Sequence, residues 1–167
     1  MTLSRTLKLA FLAALFAGGV ARAQLPVVPA ANQEALLASA DPALAANKKL
    51  VFDFWREVFE AGHMDLADRY MAEAYVQHNP NVPTGRAAFV AFFTQYVKPK
   101  AIQPRIVAPL VTIVAEGDMV ILSFVRETRD PKDTAKDGGK SATTTWFDMF
   151  RIENGKIAEH WDCAPRQ

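Results

Sequence analysis

Along the first half of the mature chain the apolar positions fall at intervals of three and four. Val51, Phe54, Trp55, Val58 and Phe59 form one such set, a spacing that lines up side chains on one stripe of an α-helix. Asp41-Pro42 supplies an N-cap followed by proline at the first helical position, and Gly62 is placed to stop the helix. A short helix is expected through Leu66, Tyr70 and Met71, then an extended run from Glu73 to His78 that Asn79-Pro80 turns. Thr84 is read as the cap of a third helix, with Phe89, Phe92, Phe93 and Tyr96 on one stripe and Pro99 ending it. Beyond residue 104 the period changes to two. Arg105 to Ala115 and Met119 to Thr128 are rich in Val and Ile and flank Glu116-Gly117-Asp118, which predicts a hairpin. Asp130 to Lys140 is charged, contains Gly138-Gly139 and reads as an exposed loop. Ala142 to Glu153 and Lys156 to Asp162 then flank Asn154-Gly155, a strong two-residue hairpin signal. Helices first and an antiparallel meander afterwards predict an α+β domain with helices on one face of a curved sheet.

The pattern of the last hairpin decides where its polar residues go. A two-residue turn at Asn154-Gly155 pairs Ile152 with Ile157, Phe150 with Glu159 and Asp148 with Trp161. Alternation then sends Trp146, Asp148, Phe150, Glu159 and Trp161 toward the helices, and His160 and Asp162 to the other face. A β-bulge in this hairpin would exchange the two sets on the last strand.

Composition adds an envelope. The chain has 167 residues, half of them apolar and 22% charged, enough for one domain with its own core. Arg5 and Lys8 precede the apolar run Leu9 to Ala17, and Ala21-Arg22-Ala23 offers a small-x-small cleavage site. Residues 1–23 therefore read as a cleavable signal peptide, too short and too interrupted by Gly18-Gly19 for a membrane span of roughly 20 residues. The expected location is periplasmic or secreted, with membrane contact only through the transient signal peptide. Residues 24–40, rich in Pro and Ala, are expected to be a flexible lead-in, and 41–167 the domain. Loss of Arg5, Lys8 and Arg22 moves the formal charge from +1 to about −2. Without a basic face, nucleic acid is excluded as a partner. The lone Cys163 excludes an internal disulfide.

Candidate chemistry follows from the two carboxylates placed among apolar side chains. Asp148 and Glu159 would each cost several kcal/mol there unless paired, hydrogen-bonded or neutral. At a diagonal separation of about 7 Å or less, one should have its pKa raised and could serve as general acid or base. Each could instead be structural, Glu159 by pairing with an Arg at the rim and Asp148 by capping a backbone group. His78, at a strand end before a turn, is the third candidate, as proton shuttle or hydrogen-bond donor. Three scattered His and one Cys give no recognisable zinc ligand set, and no Gly-rich phosphate loop or Gly-x-Ser-x-Gly elbow occurs. The chemistry is therefore expected to need no metal and no cofactor.

Tyr75-Val76-Gln77-His78-Asn79-Pro80, Thr84-Gly85-Arg86 opening a helix, Ala115-Glu116-Gly117-Asp118, and the run from Phe147 through Asn154-Gly155-Lys156-Ile157-Ala158-Glu159-His160-Trp161-Asp162 together resemble the SnoaL-like polyketide cyclases of the nuclear transport factor 2-like superfamily. The resemblance covers about Asp41 to Asp162. It implies a cone-shaped curved antiparallel sheet with N-terminal helices on its concave face, a deep pocket between them, and a homodimer formed through the outer face of the sheet. It also implies cofactor-independent proton transfer beside a carbonyl, as in aldol cyclisation or isomerisation, and places His78, Asp148, Glu159, His160, Trp161 and Asp162 at motif positions. The resulting expectation is an enzyme acting on a small hydrophobic carbonyl compound. Asp148 or Glu159 would take an α-proton, His78 would donate to the enolate oxygen, and Trp146, Trp161 and Tyr75 would line the pocket with His160 and Asp162. The same superfamily contains binding modules, so the alternative is a non-catalytic carrier of a small hydrophobic ligand or a dimeric interaction module.

Overall fold

The computed structural model describes residues 25–129 and 141–167. The expected signal peptide and the expected loop Asp130 to Lys140 lie outside the described residues. Helix α1, Pro42–Phe54, starts where the sequence predicts: Asp41 Oδ1 accepts from the Ala43 N–H at 2.7 Å, and Pro42 occupies the first turn. The helix then widens into a π-helical segment, Trp55–Glu60, whose signature is the Ala61 N–H bonded to Arg56 O. Gly62 stops it at φ 76°. A side chain there would also be blocked, because a Cβ would lie 2.8 Å from the carbonyl oxygen of Lys98.

A 3-10 turn, Met64–Leu66, and a single helical turn α2, Ala67–Tyr70, follow. Met71 is extended and begins strand β1, Met71–Gln77, rather than closing the helix. Helix α3, Arg86–Thr94, is preceded by Gly85 and not capped by Thr84. The Thr84 hydroxyl is turned back to the Gln77 backbone, accepting from its N–H at 3.2 Å and donating to its carbonyl at 3.3 Å. Of the aromatic stripe on α3, Phe89 enters the core, whereas Tyr96 is 70% exposed.

Strands β2, Leu110–Glu116, β3, Met119–Arg129, β4, Ser141–Glu153, and β5, Lys156–Asp162, form an antiparallel meander. Residues 105–109, expected in β2, are irregular, although Ile106 is fully buried. Strand β1 joins the far edge parallel to β5, so the curved sheet is mixed, in the order β1-β5-β4-β3-β2. The core lies between its inner face and the helices, built from Val51, Phe54, Val58, Tyr75, Phe89, Leu122, Phe150 and Ile157 among others.

Two expectations need correction here. The lead-in is not loose in the stretch 25–40: Ala30 N–H bonds Leu110 O, and the Gln33 amide both donates to Ile106 O and accepts from Ile106 N–H, each at 2.9 Å. Leu36 and Leu37 pack against the core from a 3-10 turn at Glu34–Leu37, so apolar burial and strand-like pairing hold it down. The hairpin register also changes. Ile152 faces Ile157 as predicted, but beyond them Arg151 faces Glu159, Phe150 faces His160, Met149 faces Trp161 and Asp148 faces Asp162. Ala158 is the extra residue of a β-bulge, and both Ile157 and Ala158 are buried. With a side-chain period of two, one inserted residue exchanges the faces of everything after it.

Candidate active site

The bulge turns His160 and Asp162 inward beside Asp148 and sends Glu159 and Trp161 out. Strand β4 contributes Asp148 and Phe150, β5 contributes His160 and Asp162, and β1 adds Tyr75 and Gln77 alongside His160. From the helical side come Phe54, Trp55, Phe59, Phe89 and Phe93. These groups enclose a cavity of about 90 Å³. An open cleft of about 410 Å³ shares Trp55, Phe59, Asp148 and Asp162 with it and runs outward past Phe124, Arg126 and Trp146. The Arg126 guanidinium lies 4.4 Å from the Trp146 ring centre.

A buried chain of hydrogen bonds fixes the protons in the cavity. The Asn79 backbone N–H, which can only donate, bonds Gln77 Oε1 at 2.9 Å. This sets the amide, and Gln77 Nε2 then donates to the Tyr75 hydroxyl at 2.9 Å. His160 Nδ1 lies 2.9 Å from the same Oε1, so Nδ1 carries a hydrogen. The other ring nitrogen, Nε2, is 3.1 Å from Asp148 Oδ1. A neutral imidazole with Nδ1–H has only a lone pair at Nε2, which cannot bond to a carboxylate oxygen. One proton therefore lies between His160 and Asp148, held either as a carboxylic acid or as an imidazolium.

Burial pushes the Asp148 carboxyl above its ordinary range, opposed by the hydrogen bond and charge of His160, reinforced by the negative charge of Asp162 and opposed least by the nearby Trp146 indole N–H. Its second oxygen, Oδ2, has no hydrogen-bond partner. Asp162 is engaged on both oxygens: Oδ2 accepts from Asn79 Nδ2 at 2.6 Å and Oδ1 from the Ala164 N–H at 2.8 Å. Tyr75 is 2% exposed, and burial, with the charges of Asp162 and Asp148, raises its hydroxyl pKa further, so it stays protonated at neutral pH.

Glu159 and His78 stand elsewhere. Glu159 accepts from Arg151 Nε at 2.7 Å and lies 2.9 Å from His78 Nε2, and the hydrogen bonds from His78 and Arg151 hold its carboxyl below the usual range. The His78 ring stacks on Trp161, 4.5 Å between centres and 3° between planes. This cluster is on the outer side of the sheet and lines neither the cavity nor the cleft. The structure thus brings together Asp148, His160, Asp162 and Tyr75, sets Trp146 at the cleft, and separates Glu159, His78 and Trp161 from them.

Two residues of the cavity escaped the sequence reading. Gln77 orients His160, and Trp55 carries a buried indole N–H without a partner; its helical spacing marked Trp55 only as core. Asp148, His160 and Asp162 also offer one nitrogen and two carboxylate oxygens within 4.8 Å of one another, a set that could receive a cation. In the hydrogen-bonded arrangement present, His160 Nε2 is engaged with Asp148 Oδ1 and both Asp162 oxygens accept hydrogen bonds, which leaves Asp148 Oδ2 as the one oxygen of the set without a partner. A larger groove of about 550 Å³ lies between residues 30–37 and α1, where Lys49 and Arg56 both pair with Asp53, Arg56 at 3.0 Å.

An α+β fold with acid–base groups in an apolar cavity between sheet and helices defines a class of protein, and the family model bears on the same region. The chain belongs to the SnoaL-like domain family, whose model matches residues 51–160. Solved structures similar to it include TsrD from Streptomyces laurentii, with 22% identity over 74% of this chain and 90% of that one and a TM-score of 0.46. A candidate SnoaL-like polyketide cyclase from Jannaschia sp. CCS1 shows 16% identity over 74% and 88%, with a TM-score of 0.49. An LEH-like epoxide hydrolase of M. tuberculosis shows 13% identity over 72% and 84%, with a TM-score of 0.47. No curated protein matches the chain.

Proposed function

We propose that this protein is an enzyme that moves protons at carbon beside the carbonyl of a small hydrophobic compound, in isomerisation or aldol-type condensation, using its own side chains. The observation that carries the reading is the 3.1 Å contact between buried Asp148 Oδ1 and His160 Nε2, which calls for a shared proton, in a residue that lines the cavity and whose Oδ2 has no hydrogen-bond partner. When the shared proton resides on His160 Nε2, Asp148 is ionised and Oδ2 is the free basic atom. Oδ2 takes the α-proton, leaving a neutral carboxyl and an enolate whose charge the neighbouring imidazolium balances. The enolate carbon then either recovers a proton from Asp148 at another position or attacks a second carbonyl, whose alkoxide receives that proton. The aromatic walls exclude water, which strengthens these electrostatic effects.

Export through residues 1–23 and assembly as a homodimer belong to the same proposal. The catalytic part is tested by deuterium uptake at the α-carbon of a panel of small aromatic and alicyclic ketones in D₂O, followed by NMR. Asp148→Asn is expected to lower exchange by roughly 10²- to 10⁴-fold, and Glu159→Gln to leave it within about twofold. Exchange by Asp148→Asn as fast as by the unsubstituted protein would refute the role.

A further inference from the structure

Among the described residues, two buried side-chain polar atoms lack any hydrogen-bond partner: Trp55 Nε1 and Asp148 Oδ2. Trp55 is 8% exposed and Asp148 4%. An indole N–H is a donor with no acceptor capacity, and leaving it dry and unpaired costs the desolvation of that group. Trp55 is fixed on three sides: its ring stacks on Phe124 at 4.8 Å, lies 4.6 Å from Phe59 and meets Phe150 edge-on. The empty space it borders is the cavity and the adjoining cleft, both of which Asp148 also lines. A molecule entering that space would bring an acceptor beside the Trp55 ring.

We propose that Trp55 is a catalytic residue whose indole N–H binds the oxygen of the ligand's reacting carbonyl while Asp148 Oδ2 faces the adjoining C–H. This rests on the acid–base reading above and narrows its substrate class. Asp148 and Asp162 both line the inner cavity, so a carboxylate or phosphate head is repelled, and a neutral ketone or aldehyde oxygen is the group accepted. An inner volume of about 90 Å³ takes only the reacting end; the apolar remainder lies in the cleft against Phe124 and Trp146. As negative charge develops on the oxygen, the N–H bond to it strengthens, so the interaction favours the enolate over the bound ketone. The π-helical segment that begins at Trp55 is the local departure from regular helix that carries the indole.

The test uses 4-nitrophenolate as a stand-in for the enolate oxygen, bound to the Asp148→Asn protein labelled with 15N-indole tryptophan. The chain has three tryptophans, and Trp146→Phe and Trp161→Phe versions assign the three indole resonances. Saturation with the probe should move the Trp55 indole proton downfield, and Trp55→Phe should weaken binding about 10- to 100-fold. Failure of the probe to bind, an unmoved Trp55 resonance on saturation, or undiminished affinity in Trp55→Phe would each overturn the proposal. The resonance test needs no substitution at Trp55, so it stands if Trp55→Phe does not fold. It is also independent of catalysis: a Trp55 shift with exchange unaffected by Asp148→Asn would refute the acid–base reading alone.

Discussion

At the scale of single residues, Asp148 and Glu159 show how one sheet puts two carboxylates to opposite uses. Burial raises the Asp148 pKa, so between the ordinary Asp value, about 4, and its folded value the native state holds the proton more tightly than the unfolded chain. Its contribution to stability therefore falls as pH rises through that window. Glu159, lowered by His78 and Arg151, contributes stability that is present above the ordinary Glu value and is lost as pH falls through its folded value. In urea titrations, the stability of the unsubstituted protein relative to Asp148→Asn should thus decline from pH ~4 upward, and relative to Glu159→Gln should decline from pH ~4 downward. A rise in the first difference with pH would show that Asp148 is not held in a desolvated site. The candidacy of Asp148 was legible because its β4 neighbours Phe150 and Ile152 alternate cleanly. Glu159 misled because Trp161, two residues on, is the largest side chain of β5 and alternation seated both inside. Trp161 instead covers the outer face, where the His78 ring stacks on it.

At the scale of elements, helix starts and hairpin turns carried strong local signals, and irregular backbone did not. Asp41-Pro42 and Asn154-Gly155 specify their own geometry, Asn154 and Gly155 at φ 51° and 71°. The bulge at Ala158 has no side chain that announces it, since Ala tolerates either count; its result is that His160 packs against Phe150, 4.7 Å between rings. The π-helical segment is equally silent in the sequence, yet it ends at a residue that is not replaceable. Gly62→Ala would combine a left-handed backbone with a Cβ driven toward Lys98 O. The backbone strain alone is worth roughly 1–3 kcal/mol, and denaturant unfolding should show at least that loss. A loss under about 0.5 kcal/mol would mean the close approach of residues 98–100 to this helix end is not maintained. Deleting Ala158 is the complementary experiment: with the extra residue gone, simple alternation from Ile157 leaves His160 opposite Phe150 and Asp162 opposite Asp148, both still inward, so exchange should persist, whereas its loss would show that the bulge itself, and not the register alone, positions the site.

At the scale of the molecule, the outer face of the sheet presents an apolar row, Val114, Ile121, Met149 and Trp161, paired across strands β2 to β5. Val114 and Phe147 are each 47% exposed there. A second copy of the chain would cover this row, and sedimentation at micromolar concentration should give the dimer mass, with Val114→Glu together with Phe147→Glu giving monomer. Monomer for the unsubstituted protein at that concentration would contradict it. The α+β architecture was legible as a whole because the hydrophobic period changes from 3.6 to two between α3 and the last four strands, although β2 starts only at Leu110. The parallel docking of β1 on β5 was not, since it joins segments about 80 residues apart whose pairing depends on the closed core. The central claim is that Asp148 and His160 share one proton in that core. It is tested most directly by 15N NMR of the imidazole. His160 is expected to carry a hydrogen on Nδ1, with an Nε2 resonance that reports the proton shared with Asp148 and changes in Asp148→Asn. A His160 with no hydrogen on Nδ1, or an Nε2 resonance indifferent to Asp148→Asn, would contradict it.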